Sequence, residues 1–88
     1  MIKITDRAKE KLKSILIAVG ADPEDGLRLL PTSDSEFVLG ISTEMSGDQV
    51  VEYEGYKVLL VGIEYFQILN GKTVDCQDTK EGAVLFVR

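Results

Sequence analysis

The sequence predicts an α+β fold, with mainly antiparallel, mixed β-strands packed with one long N-terminal helix and one short helix. Three observations carry that expectation. One amphipathic helical stripe lies near the N-terminus. Apolar residues alternate through most of the chain after Gly26, and a brief return to helical spacing precedes the last two strands.

Ile2 and Ile4 alternate with Lys3 and Thr5, which predicts a short opening strand. Thr5 then suits a helix N-cap, because its hydroxyl can accept from an unpaired N–H in the first turn. Ala8, Leu12, Ile15, Leu16 and Val19 recur at helical spacing, with Lys9, Glu10, Lys11 and Lys13 off that stripe. Gly20 can take the left-handed conformation that closes a helix, and Asp22-Pro23 prevents its resumption. The predicted helix is Asp6–Val19.

"GLRLLP" alternates through Leu27 and Leu29 until Pro31, and "EFVLGIS" places Phe37, Leu39 and Ile41 on one face. "VVEYEGYKVLLV" reads as a hairpin around Glu54-Gly55, with glycine placed for positive φ. In "GIEYFQILNG", Ile63, Phe66 and Leu69 sit at helical spacing before Asn70-Gly71. "KTVDCQD" and "AVLFV" follow as two strands joined through Thr79–Gly82. The aromatics Phe37, Tyr53, Tyr56, Tyr65, Phe66 and Phe86 fall mostly at core positions by periodicity. Tyr53 and Tyr56 are placed to stack across the hairpin.

At 88 residues the chain has room for one domain, 1–88, burying about 60% of its unfolded surface. Apolar runs such as "ILIAV" are far shorter than the roughly 20 residues of a membrane span. No secretory signal is visible in "MIKITDRAKEKLK", and a single cysteine cannot form an internal disulfide. A cytoplasmic protein without membrane association is expected. The net charge is −5, and Asp22–Glu54 holds nine acidic residues against the single Arg28. That tract repels phosphate backbones, so nucleic acid is not an expected partner. It reads as a solvated surface or as a face for a basic partner protein. No histidine, nucleophile elbow or phosphate-cradling loop is present, and no enzyme activity is expected.

Taken in order, "ITDRAKEKLKSIL", "GLRL", "GDQVVEYEGYKVLLV" and "LNGKTVDCQDTKEGAVLFV" resemble the HesB/IscA family of A-type iron–sulfur carriers over nearly the whole chain. The resemblance implies a compact fold of strands packed with a long helix, and often a dimer or tetramer. Family function depends on three cysteines, one in a "GGCSG"-like loop after "GLRL" and two in a later "CGCG". Here the loop is "LPTSDSEF", and the sequence reaches Phe86-Val87-Arg88 without the second motif. The sole cysteine, Cys76, matches none of the three positions. It shares a strand face with Val74 and reads first as a packed core or interface residue.

Two readings follow. In the first the chain is a degenerate, non-catalytic member without a conventional iron–sulfur cluster that works as a scaffold or protein-interaction module linked to cluster assembly. The alternative binds iron or an iron–sulfur cluster through Cys76 bridged across a homodimer, with Cys76 as a metal ligand. Pro31–Glu36 offers hard oxygen atoms to Mg²⁺ or Ca²⁺, but Ser33, Asp34, Ser35 and Glu36 are explained more simply as a turn.

Overall fold

Thr5 has extended backbone, with φ −73° and ψ 159°, and its hydroxyl accepts from the Ala8 N–H at 3.2 Å. That cap starts helix α1, Asp6–Val19, in a computed structural model that describes residues 1–33 and 36–88. Gly20, at φ 67°, ends the helix as its sequence predicts, donating its N–H to the Ile17 carbonyl. Ala8, Leu12 and Leu16 are buried, and Ile15 packs partly buried against the core. Val19 is exposed, so the apolar stripe stops about a turn before the helix does.

The strands are β1 (Lys3–Ile4), β2 (Asp25–Pro31), β3 (Phe37–Thr43), β4 (Gln49–Tyr53), β5 (Tyr56–Val61), β6 (Thr73–Thr79) and β7 (Gly82–Val87). Between β5 and β6, a 3-10 turn at Ile63–Tyr65 runs into the single helical turn α2, Phe66–Leu69. The order is the one predicted from sequence. Two sheets form, one ordered β3-β2-β5-β4 and the other β1-β6-β7. Three pairings are antiparallel, β2–β3, β4–β5 and β6–β7, while β1–β6 and β2–β5 are parallel.

Strand β5 explains the architecture. Val58, Leu59, Leu60 and Val61 are all essentially inaccessible, so this inner strand is covered on both faces and reads as a continuous apolar run. Leu12, Leu27, Leu29, Val58, Leu59, Val61, Leu69 and Val74 join α1 to both sheets in one core cluster. Gly26 lets β2 approach β5 closely, because a Cβ there would lie 2.5 Å from the Lys57 carbonyl oxygen. The β4–β5 turn places Glu54 at φ 51° and Gly55 at φ 86°. Two consecutive positive φ values match a primed hairpin turn, of which the sequence signals only the glycine half.

Periodicity identifies the faces better than it predicts their burial. On β3, Phe37 and Leu39 pack against the core, but Ile41 on the same face is 49% exposed. In the short helical segment only Leu69 is buried, while Ile63, Phe66 and Ile68 face outward. No aromatic residue is fully buried; Tyr56 and Phe66 stand at the surface. Edge position and chain turns limit how far the core reaches along each stripe.

Candidate functional site

Where the resemblance implies a ligand loop, β2 turns into β3. Thr32 and Ser33 donate their N–H groups to the Glu36 carbonyl at 2.9 and 3.3 Å, and the Glu36 N–H donates to Ser33 Oγ at 3.2 Å. At Ser33 and Glu36 the segment is thus a self-bonded turn; Asp34 and Ser35 lie outside the described residues. Pro31, Thr32 and Ser33 line a shallow depression of about 230 Å³ with Tyr65 and Ile68. Glu36 and Phe37 line another, of about 300 Å³, with Leu85 and Phe86 of β7. The described residues of the turn thus border Tyr65 and Ile68 on one side and the last strand on the other. Its described groups are hydroxyls, a carboxylate and apolar rims.

Cys76 lies on β6, the neighbour of β7. It is 6% exposed on the inward face of β6 beside Val74, opposite Leu85 of β7. It forms part of the lining of a shallow groove of about 270 Å³ between α1 and the β6–β7 hairpin, together with Arg7, Glu10, Lys11, Ser14, Asp78 and Ala83. Arg7 reaches across the groove to Asp78 at 2.6 Å. A cluster bridged by two Cys76 thiolates requires both sulfurs to meet at an interface. Here the sulfur sits in the floor of its own chain.

Sequence reasoning missed the most heavily bonded polar group in the described structure. Arg28 donates to Asp48 through both terminal nitrogens, at 3.1 and 2.7 Å, to Ser42 Oγ at 3.1 Å and to the Thr43 carbonyl at 3.1 Å. Asp48 Oδ2 also accepts from the Met45 N–H at 2.7 Å. The two side chains are only 11% and 3% exposed. The guanidinium holds the Asp48 carboxyl below the usual carboxylate range, against the opposing effect of burial. The same bond raises the Arg28 pKa further. The only signal in the sequence is a lone arginine inside an acidic tract, which says that it has a partner but not which one.

A second polar knot ties the helix to the other sheet. Thr5 Oγ1 donates to Asp75 Oδ1 at 2.9 Å while capping α1. Asp75 also accepts from the Cys76 N–H at 2.7 Å and from Arg88 Nε at 3.1 Å. Bonds from the Cys76 amide first, then Thr5 and Arg88, lower the Asp75 pKa. At the β4–β5 turn, Lys13 bonds Glu54 at 2.6 Å and stands 5.7 Å above the Tyr56 ring. A bond to Glu10 raises the Tyr53 pKa. The predicted cross-hairpin aromatic pair is thus engaged by the helix: Tyr53 and Tyr56 are register partners, each tied to α1.

Two mixed sheets closed by one long helix are an arrangement that solved structures share. Among solved structures, SufA of Escherichia coli, described as involved in biosynthesis of iron–sulfur clusters, aligns with a TM-score of 0.75 and 20% identity, covering 99% of this chain and 83% of that one. IscA with the [2Fe–2S] cluster aligns at 0.65 and 15%, covering 98% and 83%. A protein from Aquifex aeolicus, solved by solution NMR, aligns at 0.61 and 25%, covering 99% and 89%. No family model and no curated protein matches the chain. The resemblance read in the sequence is therefore met in the fold.

The chain's own residues do not fit a cluster of the usual kind. Clusters are held by cysteine thiolates, with histidine as a known replacement. This chain has one cysteine and no histidine. Among the described residues, no group of three or more His, Cys, Asp or Glu side chains is positioned to hold a metal ion. The acidic side chains at the surface are hard oxygen donors, poorly matched to soft cluster iron.

Proposed function

We propose that this chain is a non-catalytic domain of HesB/IscA-like fold that acts as a scaffold or protein-interaction module in iron–sulfur cluster assembly, without carrying a cluster in the conventional way. One observation carries the reading: the sole cysteine lies buried in β6 opposite Leu85, with no second cysteine and no histidine in the chain to join it. The link to cluster assembly rests on the fold shared with SufA and IscA. Fold by itself does not fix function. The acidic middle of the chain favours a basic protein partner, and association with further copies of the chain fits the same role. A single unpaired thiol suits a reducing, cytoplasmic setting, and no described helix is long and apolar enough to cross a membrane.

Anaerobic reconstitution with iron and sulfide tests this, followed by desalting, iron and sulfide analysis and a visible spectrum. Cys76→Ser is treated in parallel. The reading expects no stoichiometric retention in either protein. Retention by the native chain that Cys76→Ser loses would replace it with a Cys76-bridged dimeric carrier.

A further inference from the structure

Edge strands offer unpaired backbone groups, and proteins ordinarily guard them with charge, proline, bulges or brevity. Among the described residues, two of the four sheet edges carry such guards. Strand β1 has two residues and begins with exposed Lys3. On β4, exposed Glu52 sits at a register irregularity against β5. Strand β7 also has no charge, proline or bulge, and its Leu85 and Phe86 line a shallow depression with Glu36 and with Phe37, the first residue of β3. Strand β3 is the longer of the two unguarded edges. It runs seven residues, Phe37–Thr43, in unbroken register with β2 and has no charge, proline or bulge.

Its hydrogen-bonding phase is fixed by the turn. Thr32 donates to Glu36, so bonded pairs recur at Leu30–Val38, Arg28–Gly40 and Gly26–Ser42. Leu39 and Ile41 consequently direct their N–H and C=O groups to the free edge, while the Thr43 carbonyl is taken by Arg28. Beside that edge Val38 is 53% and Ile41 49% exposed. Gly40 leaves a notch, since a Cβ there would meet nothing nearer than Leu30 Cδ1 at 3.9 Å. Exposed acids bracket the strand. Glu36 stands at one end and Glu44 at the other, where its contact with Lys57 is a loose 3.4 Å.

We infer that the free edge of β3 is a strand-addition site for an extended protein segment with alternating apolar residues and Lys or Arg at its ends. Main-chain bonds to Leu39 and Ile41 would supply affinity, and side chains falling beside Val38 and into the Gly40 notch would supply selectivity. The acidic brackets favour such a partner over a second copy, which would bring more acid to the same edge. The inference rests on the interaction-module reading and names the chemistry of its partner.

The test uses the full chain and a fluorescent peptide alternating valine and threonine between paired lysines, with a twin ending in paired glutamates. The lysine-ended peptide should bind about tenfold tighter or better, and the advantage should shrink with salt. Its binding should slow amide exchange at Leu39 and Ile41. Ile41→Pro removes an outward donor that β2 does not use and should weaken binding about tenfold. The Val38→Lys/Ile41→Lys double variant, changed only at half-exposed positions, should weaken binding similarly if Ile41→Pro misfolds. Equal affinity for both peptides, or unchanged exchange at Leu39 and Ile41, overturns the inference. So does a dimer by sedimentation that the double variant abolishes, because that gives the edge to a second copy. Failure here without iron retention removes the β3 assignment alone, whereas iron retention removes the module reading itself.

Discussion

At its Arg28 end, β2 carries a guanidinium enclosed by Asp48, Ser42 and the Thr43 carbonyl, whereas beyond Pro31 the chain turns through Ser33 and Glu36 with bonds kept inside the turn. One end binds the β3–β4 connection to the sheet. The other leaves the position of the resembled family's ligand loop to short polar residues. The polar residues with the most partners maintain the frame, and those at the site are held only locally. That distribution supports the proposed scaffold reading.

Substitutions at the two ends should separate sharply. The largest loss is expected in the strand between them: Leu29→Ala, at a fully buried position, should cost about 2–5 kcal/mol in denaturant unfolding. Asp48→Ala leaves Arg28 enclosed without its carboxylate and should cost about 2–3 kcal/mol. A loss under about 0.5 kcal/mol would show that the Arg28 clamp does not hold the frame.

The clamp also predicts a pH dependence. The Asp48 and Asp75 carboxyls titrate lower in the folded chain than their ordinary values. Their contributions are therefore complete above an unfolded carboxylate pKa of about 4 and are lost as pH falls through the lowered folded values. Unfolding free energy should drop with acidification below about pH 4, and Asp48→Asn should show a shallower drop. Equal slopes would remove Asp48 from the account. Thr5→Ala, which deletes the α1 cap, should cost about 1 kcal/mol. At the other end of β2, Ser33→Ala should stay within about 0.5 kcal/mol of the native chain. A loss there as large as that of Asp48→Ala would erase the contrast between the two ends.

What the sequence made legible was local. Thr5, Gly20 and Pro23 bound α1 because a cap, a left-handed residue and a helix breaker each act within a turn of their own position. Glu54-Gly55 marked its hairpin for the same reason. Arg28 and Asp48 are 20 residues apart and meet only through the path of the β3–β4 connection, which no periodicity encodes. Ile41 and Val19 share apolar stripes with buried residues yet stand exposed, because strand order and helix length decide where a core ends. The open edge of β3 has the same origin: seven uncharged residues read equally well as an inner strand until the sheet order places them outside. The residue types after β2 already argued against thiolate chemistry in the sequence itself.

The central claim is that this carrier-like frame holds no iron–sulfur cargo of its own. Isolating the chain anaerobically from cells actively making iron–sulfur clusters, then measuring iron, acid-labile sulfide and visible absorption, tests it most directly. The account predicts substoichiometric iron and no visible cluster bands. Stoichiometric iron and sulfide with a cluster spectrum would contradict it.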